Sequence, residues 1–161
     1  MPFKHLPAAI AIMCIGLFSA SPASLVGSAS AQSDATAEAQ TGVADAVQPL
    51  RDYYAWINQK KYTQAFAVWE KREDGNAANG QSFEAFESGF GDTASVNVEI
   101  GAPGEIEGAA GSNFIEIPVV ISATSTGGQR QKFAGTYTLR SSNMAEDRSW
   151  HIYAARVKKV K

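Results

Sequence analysis

The hydrophobic spacing of this chain changes period once, near Gly91, and that change confines it to an α+β architecture with helices first and strands after. Before Gly91, Val43, Val47, Leu50, Tyr54 and Ile57 recur at steps of three and four and form one helical stripe. Asp45 and Gln48 have capping-box spacing, and Pro49 suits a first helical turn and not an interior. After the short joint "NQKK", Tyr62, Phe66 and Trp69 share a face of a second helix. The polar run "KREDGNAANG" reads as a loop, and Ser82 then caps a third helix carrying Phe83, Phe86 and Phe90, which Gly89 and Gly91 end.

Beyond Gly91 the alternation is of period two. Val96, Val98 and Ile100 alternate with polar residues, "APG" supplies a turn, and "EIEG" is a short strand. Asn113 to Thr126 and Gln129 to Arg140 are longer strands joined at Gly127 and Gly128. A two-residue hairpin there faces Thr126 with Gln129, and so sets Pro118 opposite Tyr137 and Glu116 opposite Leu139. With Trp150 placed beside Leu139, one face holds Phe114, Glu116, Pro118, Val120, Phe133, Tyr137, Leu139, Trp150, Ile152 and Arg156. The other holds Ile115, Ile117, Val119, Ile121, Thr136, Thr138 and His151, a flat β-branched side suited to a partner. Pro118 lacks a ladder donor and implies an edge position or a bulge, which would turn Ile115 and Ile117 inward and Glu116 outward.

The first 31 residues have the order of a signal peptide: Lys4, an apolar run from Ala8 to Phe18, then small residues ending at Ala31. That run is too short to span a bilayer, which takes roughly 20 residues. The protein is therefore expected to be exported, periplasmic in a Gram-negative bacterium and otherwise secreted, with Gln32 first after cleavage. The one cysteine, Cys14, lies in the apolar run, so the mature chain has neither a disulfide nor a cysteine-ligated metal. Residues 32–42 contain no large apolar side chain and read as a flexible leader, which leaves one domain over 43–161. The mature charge of −3 argues against a nucleic-acid surface, and no membrane contact is expected after cleavage. The basic end "ARVKKVK" reads as a solvated strand terminus. The glycines at 101, 104, 108 and 111 open no helix and precede no GK[ST], so they are turn glycines and imply no cofactor.

The aromatic helices "YYAWINQKKYTQAFAVW" followed by the strands "FAGTYTLR" and "WHIYAARV" resemble the nuclear transport factor 2-like superfamily, over about Val43 to Val160. The resemblance implies a cone-shaped fold of three N-terminal helices packed on a strongly curved antiparallel sheet, an apolar cavity, and often a homodimer through the outer sheet face. The superfamily includes ketosteroid isomerases, scytalone dehydratases and polyketide cyclases beside members that only bind, so fold does not decide function. Its enzymes use a buried Asp or His as base. Here His151 falls on the outer face, Asp52 lies toward the polar side of its helix, and Lys61 stands where the family has an acid before the second helix.

The leading expectation is a cavity that binds a small apolar or amphipathic molecule without catalysis. Tyr54, Trp69, Phe86, Tyr137 and Trp150 would form its walls, with Glu116 and Arg156 as polar handles. An isomerase or dehydratase using a buried carboxylate, Glu116 or Glu99, is the enzymatic alternative. A dimeric scaffold built on the flat β-branched face is the third.

Overall fold

The structure is a computed structural model that describes residues 29–160, with side-chain burial from Gly42 onward. Apart from Ala29, Ser30 and Ala31, the expected signal peptide lies outside the described residues. Helix α1 (Ala29–Asn58) is followed by α2 (Tyr62–Ala67) and α3 (Phe83–Gly89). Five strands follow: β1 (Thr93–Ile100), β2 (Glu107–Ala109), β3 (Ser112–Ser125), β4 (Arg130–Ser142) and β5 (His151–Val160). They form one antiparallel sheet in the order β1-β3-β4-β5, with β2 beside the first part of β3.

Helix α1 corrects two expectations. It is continuous through residues 32–42, a stretch rich in Ala, Gln and Glu, residues that favour the helical backbone. It also carries Pro49 in its interior. The carbonyl that Pro49 leaves without its helical donor belongs to Asp45, an exposed residue. Lys61, at the N-cap position of α2, supplies no side-chain cap, and Trp69 falls past the end of the helix. Trp69 lies instead beside β5: Ile152 donates its N–H to the Val68 carbonyl at 2.9 Å, and Glu70 donates to the Ile152 carbonyl at 3.0 Å. Ser82 caps α3 as expected, accepting from the Ala85 N–H.

The hairpin between β3 and β4 decides which residues are inside. Ser125, not Thr126, faces Gln129, and the loop has three residues. A two-residue turn of the I′ type needs positive φ at both central positions; Gly128 has φ +79° but Gly127 is not in that region. Gly128 donates to the Ser125 carbonyl and Gln129 to the Ser125 hydroxyl, which closes the longer loop. Every β3 side chain is thereby turned over relative to the expected pairing. Ile117 faces Tyr137, Ile115 faces Leu139, and Pro118 faces Thr136. The β4–β5 pairing differs as well: Ile152, not Trp150, lies beside Leu139, and a bulge at Thr138/Leu139 offsets the rest of β5.

Ile115, Ile117, Val119 and Ile121, expected on a partner-facing side, are therefore core residues. They bury against Leu50, Tyr53, Tyr54 and Ile57 of α1 together with Phe66, Trp69 and Phe86. Pro118 sits in a central strand without a bulge. Its carbonyl accepts from Gly101, on the side of β3 where β1 has ended and β2 has not begun, so its missing N–H faces that gap. Arg140 ties the α2 side to the sheet through an ion pair with Glu70 and a hydrogen bond to the Ser112 hydroxyl.

Gly135 lets β5 approach β4 closely, because a Cβ there would lie 2.0 Å from the Arg156 carbonyl oxygen. Backbone cannot yield as a side chain does, so Gly135→Ala is expected to destabilise by at least about 2 kcal/mol. Gly127→Ala, where φ is ordinary and the nearest atom is the Ser125 hydroxyl at 3.8 Å, is the control, expected within about 0.5 kcal/mol of the parent. Denaturant midpoints measure both.

Candidate functional site

The aromatic stripe of α1 meets the inner face of β4 in a buried cluster of Tyr53, Tyr54, Trp69, Phe86 and Tyr137. Tyr54 and Tyr137 meet edge to face with ring centroids 6.3 Å apart, and their hydroxyls are 2.8 Å from each other. Tyr53 packs edge-on to Tyr54 at 4.9 Å and to Trp69 at 6.5 Å. A pair of phenols carries two hydrogens, and the bond between them uses one. The other is left for an oxygen outside the pair.

Burial pushes Tyr54 and Tyr137 above the ordinary phenol range, each reinforced by the charge that a neighbouring phenolate would add. Tyr53 is raised in the same way. The Trp69 indole N–H lies close enough to the Tyr53 oxygen to favour its phenolate slightly, but it falls short of hydrogen-bond geometry and has no partner. All three phenols are therefore neutral at ordinary pH and act as donors or acceptors, not as bases.

Tyr54 also walls a cleft of about 320 Å³. Its apolar lining comes from Phe90 after α3, Val96 of β1, Ile121 and Ala123 of β3, and Phe133 of β4. Asp92, Thr93, Thr124, Ser125 and Gln131 supply polar atoms around it. Asn58 positions this wall. Its side-chain amide donates to the Val96 carbonyl at 2.7 Å and accepts from the Val96 N–H at 2.8 Å, continuing the ladder at the free edge of β1. One turn earlier on α1, Tyr54 is thereby held against the sheet.

Of the residues expected to form the site, Tyr54, Trp69, Phe86 and Tyr137 are brought together. Glu116 and Arg156 are not: both are exposed, on the outer face, and the three-residue hairpin loop and the β5 bulge are the reasons. Trp150 lines a different cleft, beside Pro49 and Trp56. Phe90, Val96 and Ile121 were not among the expected lining residues; Ile121 turns inward only with the three-residue hairpin loop, whereas Phe133 shares its face of β4 with Tyr137, as the strand period implies. Glu99 is exposed too, so neither proposed catalytic carboxylate is buried. Among the described residues no group of three or more His, Cys, Asp or Glu side chains is placed to hold a metal ion.

No protein-family model matches the sequence, and no curated protein matches it either. Among solved structures, the chain is similar to a protein of Novosphingobium aromaticivorans provisionally named a scytalone dehydratase. The TM-score is 0.56 at 9% identity, over 78% of this chain and 89% of that one. The likeness is one of fold. It is consistent with the nuclear transport factor 2-like architecture that the aromatic helices and terminal strands suggest, and at this identity it carries no residue roles across.

Two measurements check the tyrosine pair. Tyr54→Phe leaves the Tyr137 hydroxyl buried without its partner and is expected to cost about 1–3 kcal/mol. Removing both hydroxyls (Tyr54→Phe with Tyr137→Phe) is expected to cost less than the sum of the single changes. The second is pH. The folded pKa values of Tyr53, Tyr54 and Tyr137 lie above the unfolded ones, so the stability they contribute is complete below about pH 10 and is lost as pH rises further. In an absorbance titration their phenolate signal is expected to appear only as the chain unfolds.

Proposed function

We propose that this protein binds a small apolar or amphipathic molecule in the cleft walled by Tyr54, without acting on it chemically. The supporting observation is that Tyr54, whose hydroxyl pairs with that of buried Tyr137, lines a largely apolar space of about 320 Å³. Phe90, Val96, Ile121 and Phe133 give the ligand an apolar contact surface, and the hydrogen not shared within the pair has one oxygen to serve. Trp69 and Phe86 pack behind the tyrosines and keep water from the pair, which strengthens that hydrogen bond. A ketone, ether or alcohol on a compact hydrocarbon body meets these requirements.

The fold is also compatible with dehydratase-type enzymes. Such a reaction needs a positioned base, and the one carboxylate lining this cleft is that of Asp92, which is exposed. Neutral tyrosines orient a substrate oxygen but do not take its proton, so binding is the reading the residues favour.

The test compares 2-acetylnaphthalene with naphthalene by calorimetry. The ketone is expected to bind saturably and about fivefold more tightly than the hydrocarbon, the worth of one hydrogen bond. Tyr54→Phe is expected to remove that preference. Absence of saturable binding by either compound would sink the proposal, and turnover of a ketosteroid or hydroxynaphthalene substrate would replace it with the enzymatic reading.

A further inference from the structure

Asp52, Trp150 and His151 take no part in the inner cleft, yet the fold brings all of them to one place. On α1, Asp45, Pro49, Asp52 and Trp56 follow one another at helical spacing and make a stripe distinct from the one that carries Tyr54. The end of α2 and the start of β5 close over that stripe, and Trp56 and Trp150 wall a cleft of about 290 Å³ with Val68 at its side. It shares no lining residue with the cleft at Tyr54.

A second, shallower hollow of about 570 Å³ continues from it across Pro49, Asp52 and Trp150, and adds Asp45 and Asp147. Three carboxylates therefore line the joined space, against one exposed guanidinium, Arg148. Asp147 is held in place by accepting the Ser149 N–H at 2.8 Å, and Asp52 by accepting from the Gln48 amide at 2.9 Å. Neither carboxylate is in an ion pair among the described residues. Nearby, the His151 Nδ1 is buried without a hydrogen-bond partner.

Two half-buried tryptophans beside unpaired carboxylates make a particular kind of surface. Indole faces carry negative charge density and attract a cation, and the carboxylates add to the same field. An anion would be repelled. Trp56 and Trp150 are half-buried and packed in part against the core, and the remainder of each side chain lines the cleft. We propose that this tryptophan-walled cleft is a second binding site, for a small organic cation of the alkylammonium class. Its volume suits a compact head group, with Asp52 as the counter-charge and the indoles enclosing the alkyl carbons.

Tetramethylammonium chloride titrated into the full chain, at ionic strength held constant with sodium chloride, tests this by tryptophan fluorescence. Ligand-observed NMR of the methyl resonance runs in parallel. Saturable binding is expected in the NMR measurement with a fluorescence change, and Asp52→Asn is expected to weaken it about tenfold while circular dichroism stays unchanged. Trp150→Phe is expected to weaken it as well, and 2-acetylnaphthalene is not expected to compete. The proposal fails if neither measurement shows saturable binding, if Asp52→Asn binds as tightly as the parent, or if glucose binds as well as the cation.

Discussion

The three-residue loop between β3 and β4 is the constraint on which the rest of the molecule depends. Ser125 pairs with Gln129 across a loop in which only Gly128 adopts positive φ, and with that pairing the whole of β3 is set in register against β4. A shift of one residue exchanges the two faces of a strand. As it stands, the shift puts an unbroken row of Ile115, Ile117, Val119 and Ile121 under α1 and leaves Glu116 in water. With the opposite register a carboxylate would be buried without a partner, at a cost that no neighbouring cation offsets.

That register also places Tyr137 beneath α1, opposite Ile117, where it meets Tyr54. The hydroxyl pair answers a problem that burial creates. Each phenol brings a polar atom into an apolar core, and each satisfies the other. Two hydrogens and one shared bond still leave a donor over, which makes the pair a recognition group as well as a structural one. Asn58 serves the same end at the edge of the sheet, where its amide takes up both backbone groups of Val96 and fixes the helix against β1.

Helix α1 separates two environments of different chemistry. Its inner stripe of Leu50, Tyr54 and Ile57 faces a neutral, largely apolar interior. Its flank of Asp45, Asp52 and Trp56 faces a space whose carboxylates and indoles favour positive charge. The stripes differ by a fraction of a helical turn, so one element supports both without either sharing a side chain. Pro49 lies between Asp45 and Asp52 on that flank, where the loss of one helical hydrogen bond faces water.

Period and chemistry along the chain were sufficient for the order of helices and strands, the cap at Ser82, and the gathering of Tyr54, Trp69 and Phe86 on the buried side. These follow from local spacing, since 3.6 and 2.0 residues per repeat decide which side chains share a face. The pairing of strands was not decided there. Gly127 and Gly128 permit both a two-residue and a three-residue loop, and the sequence next to them does not distinguish the two. The choice depends on which face of β3 can bury against α1, a non-local packing energy, and the placement of Glu116 follows from it, while that of Arg156 follows from the offset of β5 against β4. The tryptophan cleft is likewise a tertiary product: Trp56 and Trp150 are far apart in the chain, and only the docking of β5 beside Val68 and Glu70 brings them to one space.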